Sequence, residues 1–277
     1  MPELPEVETI RRQLAPRLRG RDIVEAWGHP SPKFVAAPAA TGASIEGVDR
    51  RGKYLLVELD GQRHLGIHLG MTGQLSVRPV DVEPDPYARA WWTLDGDERL
   101  ELRDVRRFGR VAVMPRDDHS DMPTLATQGP EPFDADFTAE HLYRALRRSK
   151  VRVKTQLLSQ RPVAGVGNIY ADEALWATGI NPGARTVTRA QAAALRDEIV
   201  QVLSAGIDHG GTTLRDYRDA DGGRGTNQLH LECYGRAGHP CNRCGTTLVR
   251  RVIDARGTTM CPTCQGSRRR VDTDPVG

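Results

Sequence analysis

The first six residues combine an amine with two carboxylates. Pro2 follows Met1, so removal of the initiator methionine would expose a secondary amine. Alpha-amino groups titrate near pH ~8, which leaves a useful unprotonated fraction at neutral pH. Glu3 adjoins this amine, and Glu6 lies one turn further along if the segment is a helix. A free amine beside a carboxylate can form a Schiff base, although proline and glutamate also simply begin a helix well.

Five cysteines near the C-terminal end predict a metal site. Cys241-Asn-Arg-Cys244 and Cys261-Pro-Thr-Cys264 are separated by sixteen residues, which is the spacing of a two-knuckle zinc site. A β-hairpin through residues 247–252 and 257–260 would join the knuckles and close a tetrahedral site. Four thiolates leave no open position for a substrate, so we expect a single structural zinc ion. Cys233 stands alone, and we expect it to act as a small apolar residue.

A second metal pattern overlaps the first. His230-Leu-Glu232, followed by Pro240-Cys241-x-x-Cys244, resembles the signature of zinc nucleobase deaminases, in which the metal is catalytic. Only seven residues separate Glu232 from Pro240, which is too few for the helical packing that such a site needs. The second cysteine pair would also have no role, so the four-cysteine site is the favoured interpretation.

Positive charge is concentrated towards the C-terminus. The formal net charge is only +3, and only four of the 39 basic residues are lysines. Residues 222–270 contain nine arginines and two acidic residues. Arginine suits bidentate contacts with phosphate, so this segment predicts nucleic-acid binding.

Hydropathy indicates a globular protein without a membrane span. Hydrophobic residues make up 38% of the chain and charged residues 27%, and no apolar run approaches the roughly 18 to 20 residues that cross a bilayer. The N-terminus lacks the basic and apolar regions of a signal peptide. We therefore expect a cytoplasmic protein.

The N-terminal half predicts a helix followed by short antiparallel strands. Pro2 and the early glutamates favour a helix over about 2–18, with a buried stripe of Leu4, Val7, Ile10, Arg11 and Leu14. Runs of β-forming residues follow at 54–59, 64–69, 90–94, 99–102 and 111–114. Asp60-Gly61 and Asp95-Gly96-Asp97 are typical hairpin turns between them. This half predicts an antiparallel sandwich or barrel.

The pattern becomes helical after Gly129-Pro130-Glu131-Pro132, which predicts a domain boundary. We expect helices at about 138–148, 152–159, 168–178 and 189–205. Thr188 and Gln191 predict a capping box for the last helix, and Asn168 is the expected cap of the third, which Gly179 would close.

Five motifs in order give the chain a family resemblance. They are Met1-Pro-Glu-Leu-Pro-Glu-Val-Glu8, His68-Leu-Gly-Met-Thr-Gly73, Arg106-Arg-Phe-Gly109, Gly165-Val-Gly-Asn-Ile-Tyr-Ala171 and the four-cysteine ribbon. Together they resemble the bacterial formamidopyrimidine-DNA glycosylase family over about the whole chain.

The resemblance implies an α+β protein of several parts, with damaged duplex DNA in a cleft between its two halves. An N-terminal catalytic β-sandwich with its leading helix would span residues 1–130. A helical domain with a helix-two-turn-helix element and a glycine-rich base-covering loop would span 131–228. A zinc-finger hairpin at 229–270 and a tail at 271–277 would follow. We expect a monomer that needs no small-molecule cofactor.

The resemblance also implies the chemistry. The mature N-terminal proline of such enzymes attacks C1′ of the damaged nucleotide, displaces the base and forms an iminium that drives β- and δ-elimination. Pro2 would then be the nucleophile and Glu3 the general acid/base. Lys53 would anchor phosphate and assist elimination, and Glu6 and Glu173 would support the active site.

DNA contacts follow from the same resemblance. Met71, Arg106 and Phe108 would fill the gap that a flipped base leaves, as an apolar plug, a donor for the orphaned cytosine and a wedge. The remaining expected contacts are His68, Lys154, Asn168 and Arg256, beside the helix N-terminus that follows Gly165 and Gly167.

Two departures bear on specificity. Val105 stands where the family usually has proline, and residues 222–228 lack the aromatic pair that commonly precedes Gln228 in the loop over the flipped purine. The expected substrates are 8-oxoguanine and formamidopyrimidines. Leu4 and Met71 favour this purine branch over the sister family that acts on oxidised pyrimidines, and the intact Pro2-Glu3 pair argues against a non-catalytic zinc-ribbon protein.

Overall fold

A computed structural model describes residues 2–266 and shows an α+β protein. Met1, whose removal the predicted chemistry requires, lies outside the described residues. The end of the predicted finger segment and the predicted tail also lie outside them.

The first helix, α1, runs from Leu4 to Leu18 and begins two residues later than predicted. Its apolar stripe is confirmed at Leu4, Val7, Ile10 and Leu14, all of which are completely buried. The prediction that Arg11 belongs to this stripe is wrong. Its guanidinium lies partly exposed at the helix edge, 2.9 Å from the Glu8 carboxylate, because an arginine can bury its stem while its charge stays paired.

Eight strands form two antiparallel sheets, which confirms the predicted sandwich. The strands are β1 (Ile23–Gly28), β2 (Ile45–Arg51), β3 (Tyr54–Leu59), β4 (Arg63–His68), β5 (Gln74–Pro79), β6 (Ala88–Leu94), β7 (Glu98–Arg103) and β8 (Arg110–Pro115). One sheet has the order β1-β6-β7-β5 and the other β2-β3-β4-β8. Apolar residues of both sheets and of α1 share one core. Both predicted hairpin turns connect paired strands.

The sequence patterns did not reveal β1, β2 and β5. Only one residue of β1, two of β2 and one of β5 are buried, so none of these strands shows a clear run of apolar residues. All three are edge strands of their sheets.

Five α-helices follow the sandwich within the described residues. They are α2 (Pro123–Ala126), α3 (Ala139–Arg147), α4 (Val153–Leu158), α5 (Asn168–Ala177) and α6 (Arg189–Asp208). Helices α3 to α6 match the predicted ones, and the capping box of Thr188 and Gln191 is present. Gly179 follows α5 with φ +68°, as expected of a residue that ends a helix. Their core also takes in Leu4 from α1.

A short hairpin of β9 (Val249–Ile253) and β10 (Arg256–Met260) lies beyond the helices. Asp254 and Ala255 form its turn, both with positive φ. The predicted hairpin is therefore confirmed, with its strands shifted by one or two residues. Within residues 2–266, no helix is both long and apolar enough to cross a membrane.

Candidate functional site

The Glu3 carboxylate lies at the N-terminus of α5. It accepts hydrogen bonds from the backbone N–H groups of Gly167 (2.8 Å) and Ile169 (2.9 Å), and a longer one from Tyr170 (3.4 Å). A helix N-terminus attracts negative charge because its first N–H groups have no partner within the helix. Glu3 is only 2% exposed, so this contact fixes it beside Pro2, which is buried as well.

This arrangement corrects the prediction for Asn168. Asn168 is the first residue of α5 rather than its cap, and its side-chain amide donates instead to the carbonyl oxygen of Gly257 in the hairpin (3.0 Å). A carboxylate from another element occupies the capping position, which no local pattern could have shown.

Glycine is required where the two segments meet. A Cβ atom on Gly167 would collide with the Glu3 carboxylate, and one on Gly165 would collide with the Leu4 side chain. Gly165 also has φ +85°, a conformation that other residues adopt at a cost. The backbone N–H of Leu4 donates to the Gly165 carbonyl oxygen (3.1 Å), so the start of α1 and the segment before α5 are in direct contact.

Glu6 lies one turn behind Glu3 and is also buried. One of its oxygens accepts from the backbone N–H of Glu3 (2.7 Å), and the other accepts from Tyr170 Oη (2.9 Å) and from the backbone N–H of Thr212 (2.7 Å). Burial, together with the nearby charge of Glu3, raises the pKa of Glu6 to about 7. Glu6 is therefore a carboxyl group that changes its charge near neutral pH.

Lys53 faces the same two carboxylates from the turn between β2 and β3. Its side chain is buried, and burial lowers the pKa of its ammonium, while the charges of Glu3 and Glu6 oppose that effect. The positive charge of Arg256 in the hairpin also lowers the pKa of Lys53. The structure thus brings together the predicted residues Pro2, Glu3, Glu6, Lys53 and Arg256.

An ion-pair cluster that the sequence did not reveal holds the Lys53 turn. Glu131 accepts from the backbone N–H of Gly52 (2.5 Å) and from Arg50 Nη1 (2.7 Å). Arg50 also donates to Glu8 on α1 (3.1 Å). Glu131 belongs to the Gly-Pro-Glu-Pro segment that connects the sandwich to the helices. The backbone next to Lys53 is therefore fixed by residues of α1, of β2 and of this connection.

The predicted gap-filling side chains project from two adjacent loops. Met71 is 37% exposed and Phe108 is 46% exposed, so both apolar side chains are accessible to a partner. The Arg106 guanidinium lies 4.7 Å from the centre of the Phe108 ring.

A buried aspartate joins these two loops. Asp104 accepts from Thr72 Oγ1 (2.6 Å) in one loop and from the backbone N–H of Gly109 (2.7 Å) at the end of the other. Val105, the departure from the family pattern, is an exposed residue beside it. The loop is therefore held by Asp104 and Thr72 rather than by residue 105.

His68 ends β4 where the first of these loops begins. Its Nδ1 accepts from the backbone N–H of Gly70 (3.2 Å), and its ring packs 4.7 Å from that of Tyr54. Burial, with the nearby charges of Lys53 and Arg110, lowers the pKa of His68 to about 4. His68 is a neutral side chain at neutral pH.

Two further predicted site residues, Lys154 and Glu173, make buried polar contacts with the finger segment. Lys154 is completely buried, with its Nζ 2.6 Å from Asp172 and donating to Gly257 and Thr258. Its ammonium is therefore paired with a buried carboxylate and shielded from solvent. The Glu173 carboxylate accepts from the backbone N–H groups of residues 232–234, so it anchors the segment that leads into the finger.

The four predicted metal ligands are clustered. The sulphur atoms of Cys241, Cys244, Cys261 and Cys264 all lie within 4.8 Å of one another. A tetrahedral zinc site with Zn–S bonds of about 2.3 Å places its sulphurs about 3.8 Å apart, so this donor set fits a zinc ion. Trp176 Nε1 donates to the Cys241 sulphur (3.3 Å). Zinc bound there would cross-link both knuckles and play no part in the reaction.

The structure contradicts the deaminase interpretation. Within residues 2–266, the group of potential metal ligands contains four cysteines and neither His230 nor Glu232. Cys233 is completely buried, and its thiol donates to the Thr259 carbonyl (3.1 Å), as expected of a small core residue.

Three family models match successive parts of the chain. Models of the formamidopyrimidine-DNA glycosylase N-terminal domain, the H2TH domain of that enzyme and the zinc finger found in FPG and IleRS match residues 1–111, 128–218 and 238–266.

Proteins that match this chain over nearly their whole length are formamidopyrimidine-DNA glycosylases. The formamidopyrimidine-DNA glycosylases of Herpetosiphon aurantiacus and Deinococcus radiodurans are 44% and 43% identical to this chain. The alignments cover 96% and 97% of this chain and 100% and 98% of those proteins.

Solved structures match as well. The MutM (FPG) protein of Thermus thermophilus superposes with a TM-score of 0.89 at 42% identity, covering 97% of this chain and all of that one. A Lactococcus lactis FPG variant bound to Fapy-dG-containing DNA superposes with a TM-score of 0.88 at 34% identity, covering 96% of this chain and all of that one.

Metal analysis tests the finger. We expect about one zinc ion per chain, because a single four-thiolate site is present. Cys264→Ala should lose the metal, whereas Cys233→Ala should keep it, since Cys233 lies outside the ligand set. Freshly purified protein that contains no zinc would contradict the assignment.

Unfolding by urea tests the cluster at the Lys53 turn. Glu131→Ala should lower the free energy of unfolding by roughly 3 kcal/mol, because the largely buried Arg50 side chain keeps only Glu8 as a carboxylate partner and the Gly52 N–H loses its acceptor. Glu46→Ala is the matched control. It removes an exposed pair with Arg116 and should cost at most about 1 kcal/mol. Equal small effects would show that the cluster does not hold the turn.

Proposed function

We propose roles for the site residues from the premise that this chain belongs to the formamidopyrimidine-DNA glycosylase family. Proteins of this family are bifunctional: they are DNA glycosylases that also cleave the strand at the abasic site, and this chain is such an enzyme of base excision repair. Its substrates are the oxidised purines 8-oxoguanine and formamidopyrimidine in duplex DNA.

The observation that carries the proposal is the buried Glu3 carboxylate beside Pro2. Once Met1 has been removed, the Pro2 amine attacks C1′ of the damaged nucleotide. The bond from C1′ to the base breaks, the sugar ring opens and an iminium forms between Pro2 and C1′. Loss of a C2′ proton then expels the 3′ phosphate, and a second elimination expels the 5′ phosphate. Hydrolysis of the iminium would free the amine for another cycle.

Glu3 is suited to moving protons in these steps. Its three backbone donors hold the carboxylate in one orientation beside Pro2. We assign it as the general acid/base. Lys53, which faces Glu3 and Glu6, provides the cation for the phosphate next to the reacting sugar, and Glu6 orients the backbone of Glu3.

The exposed loops account for base flipping. Extruding a base costs a few kcal/mol in lost stacking, and side chains that fill the gap recover part of it. Met71 and Phe108 supply apolar surface, and the Arg106 guanidinium supplies donors for the orphaned base. His68 holds the Met71 loop through Gly70.

The finger hairpin contributes a phosphate contact. Arg256 is exposed immediately after the hairpin turn, and it lies close enough to Lys53 for its positive charge to lower the pKa of Lys53. Zinc keeps the two knuckles together and so fixes the hairpin, while Asn168 and Lys154 tether its Gly257 carbonyl. Hence Lys154 and Glu173 serve DNA binding by positioning the finger.

We place the enzyme in the cytoplasm, on the nucleoid when it is bound to DNA, and propose that it acts as a monomer. A four-thiolate zinc site is typical of reducing compartments, where disulfides are rare. Sedimentation of the free protein and of its DNA complex would test the monomer.

Single-turnover excision tests Glu3. Glu3→Gln should lower the rate of 8-oxoguanine release by at least about 100-fold, because an amide cannot transfer the proton. Pro2→Gly should reduce it sharply as well. Glu140→Gln, an exposed carboxylate on α3, is the matched control and should excise normally. Near wild-type turnover by folded Glu3→Gln protein would remove Glu3 from the mechanism.

Salt titration of DNA binding tests Arg256. Arg256→Ala should weaken affinity and lower the slope of log K against log salt by about 1, since one phosphate contact is lost. Arg144→Ala, on the outer face of α3, should leave that slope unchanged. An unaltered slope for Arg256→Ala would place its side chain outside the interface.

A further inference from the structure

A row of buried polar groups leads away from the Glu6 carboxylate. Tyr170 Oη, which donates to Glu6, lies 3.1 Å from Thr212 Oγ1. Asn227 Nδ2 donates to Thr212 Oγ1 (2.9 Å), and Asn227 Oδ1 lies 3.2 Å from His209 Nδ1. The His209 ring stacks on that of His230 at 3.9 Å. The row therefore connects the active site with two histidines.

The direction of these hydrogen bonds is fixed by their two ends. An ionised carboxylate only accepts, and an amide nitrogen only donates. With Asn227 donating, the Thr212 hydroxyl donates to Tyr170 and the Tyr170 hydroxyl donates to Glu6. The carbonyl oxygen of Asn227 then accepts from His209, whose Nδ1 carries the hydrogen. Each hydrogen bond of the row is therefore donated in the direction of Glu6.

A proton on Glu6 cannot enter this arrangement without disturbing it. Both carboxylate oxygens already accept from backbone N–H groups, which cannot turn round. Only the Tyr170 hydroxyl can rotate to accept, and it then needs Thr212 to accept as well. The Thr212 oxygen can accept from both Tyr170 and Asn227, but its own hydrogen then loses the Tyr170 oxygen as acceptor. Glu6, Tyr170, Thr212 and Asn227 are each at most 5% exposed, so the Thr212–Asn227 end of the row has to adjust.

The bond from Asn227 to Thr212 joins two chain segments that further hydrogen bonds hold together as the base of one loop. Asn227 N donates to the Gly211 carbonyl (3.1 Å), and Thr226 N donates to that of His209 (2.9 Å). Thr213 N donates to Gln228 Oε1 (2.8 Å), and Gly225 N donates to Thr213 Oγ1 (3.0 Å). Segments 209–213 and 225–228 thus form the base of the loop at 214–224.

Four ionisable groups face Glu6 from the elements around it. Glu3 lies on its own helix and Lys53 lies on the β2–β3 turn. Tyr170 faces it from α5, and Tyr217 faces it from the loop, where its hydroxyl lies 3.4 Å from the Glu6 carbonyl oxygen. None of these groups replaces Asn227 or Thr212 as a donor to the row.

We propose that Tyr170, Thr212, Asn227 and His209 are positioning residues that couple ionisation of Glu6 to the seating of the 209–228 loop. The inference rests on the proposed function in one respect, which is that the loop covers the flipped base. When Glu6 is ionised, the row is intact and Thr212 and Asn227 hold the loop against the site. When Glu6 takes a proton, the hydrogen bonds of the row can no longer all be donated towards Glu6, and the loop is held less tightly.

Titration of Glu6 in the free protein tests the coupling. With ¹³Cδ-labelled glutamate, the Glu6 signal of the wild type should titrate near pH 7. Asn227→Leu removes a donor that does not touch Glu6, yet it should raise the midpoint by about 0.5 to 1 pH unit. Without the Asn227 amide, the Thr212 and Tyr170 hydroxyls are weaker donors, so the ionised carboxylate is less stabilised. Thr212→Val should act in the same direction, and Thr212→Ser, which keeps the hydroxyl, should titrate like the wild type.

An unchanged Glu6 midpoint in folded Asn227→Leu and Thr212→Val proteins would overturn the inference. The second measurement is the pH dependence of single-turnover excision of 8-oxoguanine. The limb of this profile that follows Glu6 ionisation should move with the Glu6 midpoint in both variants, and Thr212→Ser should restore the wild-type position. A shift seen by titration without any excision activity would support the coupling and contradict the proposed function instead.

Discussion

The cap that Glu3 places on α5 is the contact on which the rest of the site depends. Helix α1 packs into the core of the sandwich through Val7, Ile10 and Leu14, and Leu4 belongs to the core of the helical part. The N-terminus is therefore clamped between the two cores. Chain termini are normally mobile, and this clamp gives Pro2 a defined position.

Burial of charge sets the second constraint. Glu3, Glu6 and Lys53 are all removed from water, which is tolerable only when each charge has donors, acceptors or an opposite charge nearby. Backbone N–H groups of α5 serve Glu3, and Glu131 holds the turn that carries Lys53. The hairpin adds the charge of Arg256 from the other side. Sandwich, helices and finger thus meet at one charged cluster, each contributing groups that the others need.

Local sequence patterns predicted those features that depend on interactions between residues close together in the chain. The Cys-x-x-Cys spacing fixes the metal ligands, Thr188 and Gln191 cap their own helix, and Asp60-Gly61 makes its own turn. The predictions failed where the partner lies far along the chain. Asn168 has the residue type of a cap, but the Glu3 carboxylate takes that position, and no local pattern shows that Lys154 is buried against Asp172. Glu131 carried no signal beyond its place between two prolines, because its partners Arg50 and Gly52 are about eighty residues away.

The identity of the nucleophile is the central claim, and mapping a trapped intermediate tests it most directly. Borohydride reduction of the enzyme on a duplex with 8-oxoguanine opposite cytosine should link the DNA covalently to the protein. Digestion and mass spectrometry should then find the adduct on the N-terminal peptide, with Met1 absent and Pro2 modified. The chain has only four lysines, at positions 33, 53, 150 and 154, so each alternative amine can be checked. An adduct on Lys53 with Pro2 unmodified would contradict the account.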